Sequence, residues 1–495
     1  MRDPIDYRFL KGRFLAVAQT RATIEARLEV ARAELSTRRQ LHVLNWWEVL
    51  ESDLRLQLLD DIESIPWEIL DPLIPTHVLA TPQVDPLSDL KPAEVSPLDP
   101  GSRHVARYAM ARRRGEELLR TGKVAAFTVA GGQGTRLGHH GPKGTVVVTP
   151  VGERTLFHLF AETVLAASDR FQRDIPWYIM TSEANHAETS AYFRDNQWFG
   201  LPPGNVMLFS QGMLPAFDFD GKLLLEQKHR LARAPDGHGG ALKALVINGA
   251  IADMRSRGVQ IISYFQVDNP LVKPFDPLFI GLHACESAEM SVKVARKADD
   301  LEKVGNVCVK DGKTCVVEYS QFPEPLAHAR NEDGSRRFDS GNLAIHLLDV
   351  KFVDRIVGDG FQLPFRRAEK RVSYIDSRGK RVAPPAPNAV KLETFVFDAL
   401  PLAEKTVVLE VDRAEEFSPV KNASGVDSLE TAQRDQVRRA FRWLTRAGVK
   451  IPQSPTGEPN LTVVISPRFA LDALDVREKR ARIPDLRPGA NVWIE

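Results

Sequence analysis

Between Val124 and Thr145 the chain reads VAAFTVAGGQGTRLGHHGPKGT, an apolar stretch that runs into closely spaced glycines, then Arg136 and Lys143. Glycine admits positive φ and close backbone approach, so successive N–H groups can form a concave nest for an anion. Charge-assisted hydrogen bonds to phosphate contribute roughly 1.5–3 kcal/mol each, so a few amides and one lysine can hold a triphosphate. A tight strand-to-helix turn without a ligand is the plain alternative, and it leaves two cations in one short loop unexplained. Two familiar phosphate loops fail on spacing. In G-x-x-x-x-G-K-[ST] a glycine precedes the lysine and Ser or Thr follows it, whereas Lys143 lies between Pro142 and Gly144. A G-x-G-x-x-G fingerprint begun at Gly132 and Gly134 meets Leu137 at its third glycine position. What remains is G-G-x-G-T-R-L followed by P-K-G.

Such a loop needs a sheet behind it. The segment VAAFTVA predicts a strand, preceded by a helix from about Ser102 to Arg120 and followed by the helix TLFHLFAETVLAASDRF. PWYIMTS and NVMLFSQG predict further strands, ALKALVINGAIADMRSRG a helix ending at Gly258, and VQIISYFQVDNP another strand. Strands alternating with helices imply an α/β fold whose central sheet is mostly parallel and carries helices on both faces. Ligands of such sheets bind beyond the carboxyl ends of strands, where both the glycine loop and Val267-Asp268-Asn269 fall. Farther on, NVCVKDGKTCVVEYS predicts a hairpin turning at Asp311-Gly312, and FDSGNLAIHLLDV a strand. KTVVLEVDR and NLTVVISP predict strands on either side of the helix SLETAQRDQVRRAFRWLTRAG. Before all this, Phe14 to Leu41 predicts a long amphipathic helix, NWWEVL and IPWEIL short helical pieces, and the prolines from Asp71 to Pro100 an extended connector. The expected organisation is a helical accessory domain with that connector over residues 1–103, a catalytic domain over 104–400 and a small α+β domain over 401–495.

Composition excludes several classes. The chain has 495 residues, 43% of them hydrophobic and 26% charged, with a formal net charge of +1. No global charge attracts nucleic acid or an anionic membrane, and basic runs such as ARRRGEELLR also carry acids, as a solvated helix face does. The three cysteines, Cys285, Cys308 and Cys315, form no C-x-x-C pair and read as small buried hydrophobes in a reducing compartment. The start MRDPIDYRFL has no signal-type apolar region, and no run is long enough to span a bilayer. The expectation is a cytoplasmic protein with neither nucleic-acid nor membrane partners.

The segments QGMLPAFDFDGKLLLE, APDGHGGALKAL, VDNPLVKPFDPLFIG, VVEYS, SGNLAIH, PNAVKLETFVFD and EFSPVKNASG follow the loop in an order that resembles the eukaryotic-type UDP-N-acetylhexosamine pyrophosphorylases, within the UTP:sugar-1-phosphate uridylyltransferases. The resemblance runs from about Val124 to Gly425, and VVISP near Ile465 is similar to a piece of that family's C-terminal region. It implies a Rossmann-like nucleotidyltransferase core that converts UTP and a sugar 1-phosphate to a UDP-sugar and pyrophosphate. N-acetylglucosamine 1-phosphate is the expected sugar substrate, with glucose 1-phosphate or broad specificity second. A sugar 1-phosphate is already an anionic nucleophile, so the task is to gather anions and neutralise charge at the α-phosphorus and leaving group, without a general base.

Carried over residue by residue, the resemblance implies UTP contacts from the backbone N–H groups of Ala130, Gly131, Gly132 and Gly134. Arg136 and Lys143 would face the β- and γ-phosphates, Gln211 the uracil edge, and Gly237 would let the base approach the backbone. Asp268 would hold Mg²⁺, which prefers carboxylate and phosphate oxygens. His238, Gly305, Glu318, Tyr319 and Asn342 would meet the sugar, and Phe395 and Phe397 would wall its pocket, with at least one of the two in the core. Lys391 and Lys421 would bring charge to the phosphates, Lys421 to the attacking one.

Two positions depart from the family pattern. His238 stands where N-acetylhexosamine enzymes carry Asn, and G-H-G resembles the glucose 1-phosphate uridylyltransferases; Gln266 replaces a Cys beside the uridine. His139 and His140 could pair on a metal, but adjacent loop histidines read as spacers. A glycosyltransferase would carry D-x-D in place of V-D-N. A non-catalytic nucleotide sensor would have lost the set Arg136, Lys143, Asp268 and Lys421. The expected state is a monomer or weak homo-oligomer.

Overall fold

The computed structural model describes residues 23–82, 87, 89–358 and 361–495. They belong to two compact units, each assembled from separate chain segments.

The larger unit takes the described residues from 87 to 212, then those of His238–Leu363 and Phe395–Glu495. Its ten-stranded sheet contains β1 (Lys91–Pro92), β2 (Val124–Val129), β3 (Trp177–Thr181), β4 (Val206–Ser210), β5 (Ile261–Gln266), β6 (Met290–Arg296), β7 (Asn306–Lys310), β8 (Lys313–Val317), β9 (Ser340–Asp349) and β10 (Thr406–Glu410). The main series runs β10-β6-β9-β5-β2-β3-β4, and every pair in it is parallel except the two made by β9. The expected mostly parallel mixed sheet with helices on both faces is therefore observed. Alternation along the strands fills two cores. Val124, Ala126, Trp177 and Ile179 point into one, while Ala125, Phe127, Tyr178 and Met180 point into the other. Each face must be covered, which the helices Gly101–Arg120, Leu156–Phe171 and Pro277–Cys285 do on the first and Gly240–Ile247 on the second. Near the C-terminus, the helix Leu429–Arg446 starts from a capping box between Ser428 and Thr431, and the parallel pair Thr462–Ile465 and Asn491–Ile494 packs with it in a further core cluster.

The smaller unit draws on residues 23–82, Met213–Gly237 and Pro364–Thr394. Residues 23–37 are helical; the part of the expected long helix before residue 23 lies outside the described residues. Ser52–Glu63 and Trp67–Leu73 add helices, and a three-stranded sheet joins Arg366–Lys370, Ala389–Glu393 and Phe217–Asp218. Leu35, Trp47, Leu58, Phe217, Val390 and Leu392 share its core.

Three local expectations need correction. The helix expected from Ala241 to Gly258 is two helices, Gly240–Ile247 and Ala250–Ser256, because Gly249 turns through a φ of 77° between them. Pro72 and Pro75 do not leave the chain extended: Pro72 lies inside a helix that widens into a π-turn over Ile74–Val78, closed by Leu79 N–H donating to Ile74 O at 2.9 Å. Cys285 is exposed at the end of its helix, whereas Cys308 is buried as expected. Among the described residues, no helix is long and apolar enough to cross a membrane.

Candidate active site

The glycine loop follows β2 directly. Ala130 continues the sheet, donating to Met180 O at 2.7 Å, and Gly134 N–H is spent on Gly141 O at 2.9 Å. Two of the four amides expected to face a phosphate are thus engaged, while Gly131 and Gly132 N–H have no acceptor among the described residues. Lys143 N–H donates to Gly132 O at 3.0 Å, which folds P-K-G back over G-G-x-G. Gly144 is obligatory there, since a Cβ would sit 2.1 Å from the Phe157 ring. Gln211, just past β4, lies over Gly131, its side chain 3.0 Å from where a Cβ would be. Arg136 is exposed in a short 3₁₀ turn, Thr135–Leu137.

Sequence reasoning missed the residue that holds this loop. Asn185 is buried, its Nδ2 donates to Ala130 O at 3.1 Å and Gly132 O at 3.3 Å, and its Oδ1 accepts from Ser182 N–H at 2.8 Å. Nothing in the surrounding TSEANHAE marks it out beyond a polar residue soon after a strand.

Gln266 ends β5 beside Val129, and the chain then turns through Asp268. Lys143 Nζ lies 3.5 Å from Asp268 Oδ2, with side-chain exposures of 16% and 13%. The expected cation and carboxylate are therefore brought together from opposite ends of a 125-residue separation. Val420 N–H donates to Asp268 O at 2.8 Å, which sets Lys421 one residue from the same turn. Lys421 is exposed, 3.6 Å from Asp427 Oδ2 and over the Phe417 ring.

A second missed residue, Asn269, ties the turn to this arm. It is 4% exposed, donates through Nδ2 to Glu416 O at 2.7 Å, and accepts at Oδ1 from Ser418 and Leu271 N–H groups. Glu416 is fastened in turn by Lys293, a fully buried lysine on β6 whose Nζ reaches Glu416 Oε2 at 2.7 Å and Asp276 Oδ2 at 2.8 Å. Burial opposes charge on Lys293 and Asp276, yet the two carboxylates hold the Lys293 pKa above its ordinary value and Lys293 holds Asp276 below its own.

The residues expected around the sugar form two groups. His238 stacks on Phe395 at 5.0 Å and 12° and meets Phe397 at 5.5 Å; Phe397 is core and Phe395 half-buried. Val396 N–H donates to His238 Nδ1 at 3.1 Å, so the ring's proton is on Nε2. Gly305, Glu318 and Asn342 form the other group. Asn342 N–H donates to Gly305 O at 2.8 Å, and Glu318 Oε1 is 3.4 Å from where a Gly305 Cβ would stand. Asn342 Oδ1 accepts from Ala344 N–H at 3.0 Å across a bulge in β9, where Ala344 takes a φ of 55°. Its Nδ2 has no hydrogen-bond partner among the described residues. Tyr319 is exposed beyond this group.

Gly237 and Lys391 belong to the smaller unit. Gly237, at a φ of 83°, is required by the Thr394 backbone, whose O would lie 2.3 Å from a Cβ; this is a different reason from room for a base. Lys391 is half-buried on its strand opposite Ala368, and burial lowers its pKa.

A parallel α/β sheet with free loop amides, a lysine and a carboxylate converging at its carboxyl edge defines a nucleotide-binding protein. The chain belongs to the UTP–glucose-1-phosphate uridylyltransferase family, whose profile matches residues 86–445. It is 42% identical over 356 residues to UDP-N-acetylhexosamine pyrophosphorylase-like protein 1 of Xenopus tropicalis, across 70% of each chain. To the UDP-N-acetylglucosamine pyrophosphorylase of Saccharomyces cerevisiae it is 39% identical over 347 residues, 68% of this chain and 72% of the yeast one. The crystal structure of the uridine diphosphate N-acetylglucosamine pyrophosphorylase of Trypanosoma brucei in complex with inhibitor shares the fold at a TM-score of 0.76 and 24% identity, over 94% of this chain and 98% of that one. The chain is thus a nucleotidyltransferase of the UDP-sugar pyrophosphorylase family.

Proposed function

We propose that the protein joins UTP to N-acetylglucosamine 1-phosphate, giving UDP-N-acetylglucosamine and pyrophosphate. The observation that carries this reading is the meeting of Lys143 and Asp268 beside the unengaged amides of Gly131 and Gly132. The amides, Arg136 and Lys143 bind the β- and γ-phosphates and neutralise the departing pyrophosphate. Gln211 and Gln266 flank the nucleoside. Lys421 steers the sugar phosphate in line with the α-phosphorus, so that its oxygen forms the new P–O bond as the bond to pyrophosphate breaks. Among the described residues, no cluster of three or more His, Cys, Asp or Glu could hold a metal alone. One carboxylate completed by nucleotide phosphates suits Mg²⁺, and Asp268 is the residue that would hold it. That ion would supply charge neutralisation on the phosphates. Glu318 and Asn342 receive the sugar hydroxyls and acetamido group.

The name of the yeast relative supports N-acetylglucosamine. Glucose 1-phosphate is the second reading, favoured by His238, whose Nε2–H offers a donor where an amide would offer both donor and acceptor. With a formal net charge of +1, we place the protein in the cytoplasm, without membrane or nucleic-acid partners, as a monomer or weak homo-oligomer.

Pyrophosphate release measured with each NTP against a panel of sugar 1-phosphates tests the proposal. Turnover is expected with UTP and far less with ATP, CTP or GTP; UTP binding without turnover on any sugar would make the chain a nucleotide sensor. His238→Asn should shift the preference between N-acetylglucosamine and glucose substrates by about tenfold, the worth of one hydrogen bond. An unchanged ratio removes His238 from the sugar site.

A further inference from the structure

The return of the glycine loop, Gly138-His-His-Gly-Pro-Lys-Gly-Thr145, places Lys143 among three glycines. Gly138 and Gly141 take φ values of 71° and 141°, so this backbone has freedom that must be removed before the lysine can hold one position. Backbone bonds, Gly134 to Gly141 and Lys143 to Gly132, fasten the return to the outgoing chain. A side-chain bond ties its ends to each other. His139 Nε2 lies 2.7 Å from Thr145 Oγ1, and the same hydroxyl donates to Pro142 O at 2.8 Å. A hydroxyl has one proton; with that proton on Pro142 O, the Thr145 oxygen accepts from His139, whose imidazole proton is then on Nε2. Lys143 follows the gripped carbonyl directly. The ring also fills the berth that Gly134 leaves: a Cβ there would stand 2.8 Å from His139 Cδ2 and 2.9 Å from its Cβ. His139 N–H donates to Gly134 O at 3.2 Å. Gly134, whose amide is spent within the loop, is therefore needed to admit the ring. His139 reads as a spacer in sequence and is a tie in the fold, whereas His140 beside it is exposed.

We propose that His139 is a positioning residue for Lys143: through Thr145 and Pro142 it braces the returning chain, so that the ammonium meets the triphosphate at a fixed point. An oriented cation is worth more to a developing charge than one that must be ordered during the reaction. The effect on turnover rests on the uridylyl-transfer reading; the brace itself does not.

Steady-state turnover of UTP and N-acetylglucosamine 1-phosphate by the full chain tests it. His139→Ala should lower kcat by about tenfold, the worth of one hydrogen bond, with KM for the sugar phosphate unmoved. His139→Gln, which keeps an N–H donor, should recover most of that loss. Thr145→Val removes the acceptor and leaves the ring, so it should match His139→Ala, and it answers the question should the alanine variant not fold. The deciding comparison is with Lys143. If the histidine acts through the lysine, adding His139→Ala to Lys143→Ala should lower kcat by under about twofold more, because residues that act as a unit do not add. A further loss of the full size, an unchanged kcat in His139→Ala, or no recovery in His139→Gln overturns the proposal. A wild-type chain without turnover would instead sink the uridylyl-transfer reading. The same variants titrated with UTP would then decide the brace: affinity about tenfold weaker in His139→Ala and not additive with Lys143→Ala supports it, and equal affinities overturn it.

Discussion

The glycine loop and the arm from Arg413 to Lys421 both bring a lysine toward the carboxyl edge of the sheet, and they are built in opposite ways. The loop closes on itself: Lys143 to Gly132 and Gly134 to Gly141 are contacts within a dozen residues. The arm is held from afar, by Lys293 at a separation of 123 residues and Asn269 at 147. Its fastening is a buried ion cluster, whereas the loop is hydrogen-bonded backbone at the surface. A fault in the loop should therefore appear in the chemistry, and a fault under the arm in the stability of the fold.

Removing the buried cation makes the sharpest test. Lys293→Met leaves Asp276 and Glu416 facing each other out of water, which should cost about 3–5 kcal/mol in urea denaturation. A loss below about 1 kcal/mol would mean the cluster does not fasten the arm. Lys143→Ala is the reverse case: kcat should fall by about a hundred- to a thousandfold with the denaturation midpoint unmoved. If the midpoint moved and kcat did not, the contrast between the regions would be lost.

Acid should weaken the arm's foundation. His283 is buried on the helix that Asp276 caps, its Nδ1 2.7 Å from Ser291 Oγ on β6, and burial lowers its pKa to about 4. Between the unfolded value near 6.5 and about 4, the unfolded chain binds a proton that the folded chain refuses. Stability is therefore intact above that window and falls as pH drops through it, by up to about 1.4 kcal/mol per pH unit for this group. His346, buried beside Tyr264 with a pKa lowered to about 3, adds to the same slope. His283→Gln should flatten the slope; a profile identical to wild type would exclude that histidine as its source. The smallest effect belongs to a distant clasp on the loop. Asn185→Ala should cost about 1–2 kcal/mol, read as a rise in KM for UTP more than as a change in melting.

How much of this was legible follows from the same contrast. The strand, the glycines, Lys143 and V-D-N lie in contiguous words of sequence, so spacing alone could be compared with known phosphate loops. Asp311-Gly312 predicted its hairpin because two left-handed residues are what a two-residue turn demands, and both have positive φ. Asn185, Asn269 and Lys293 carry no such signal. Each is an ordinary residue whose partner lies far along the chain, or in a loop whose path was unknown. Ala130 and Gly134 were expected as phosphate donors because sequence cannot show which amides a neighbouring strand or a returning loop has already taken. Ala344 was equally hidden, since alanine gives no hint of left-handed backbone.

From its residues alone this protein set its strands, its loop chemistry and the charge types brought to the sheet's edge, because periodicity, glycine freedom and side-chain charge are local properties. Tertiary structure alone decided which amides stay open, that Lys143 meets Asp268, and that a buried lysine anchors the arm. Those outcomes depend on burial and on pairing across more than a hundred residues, where the free energy of a charge is fixed by its surroundings.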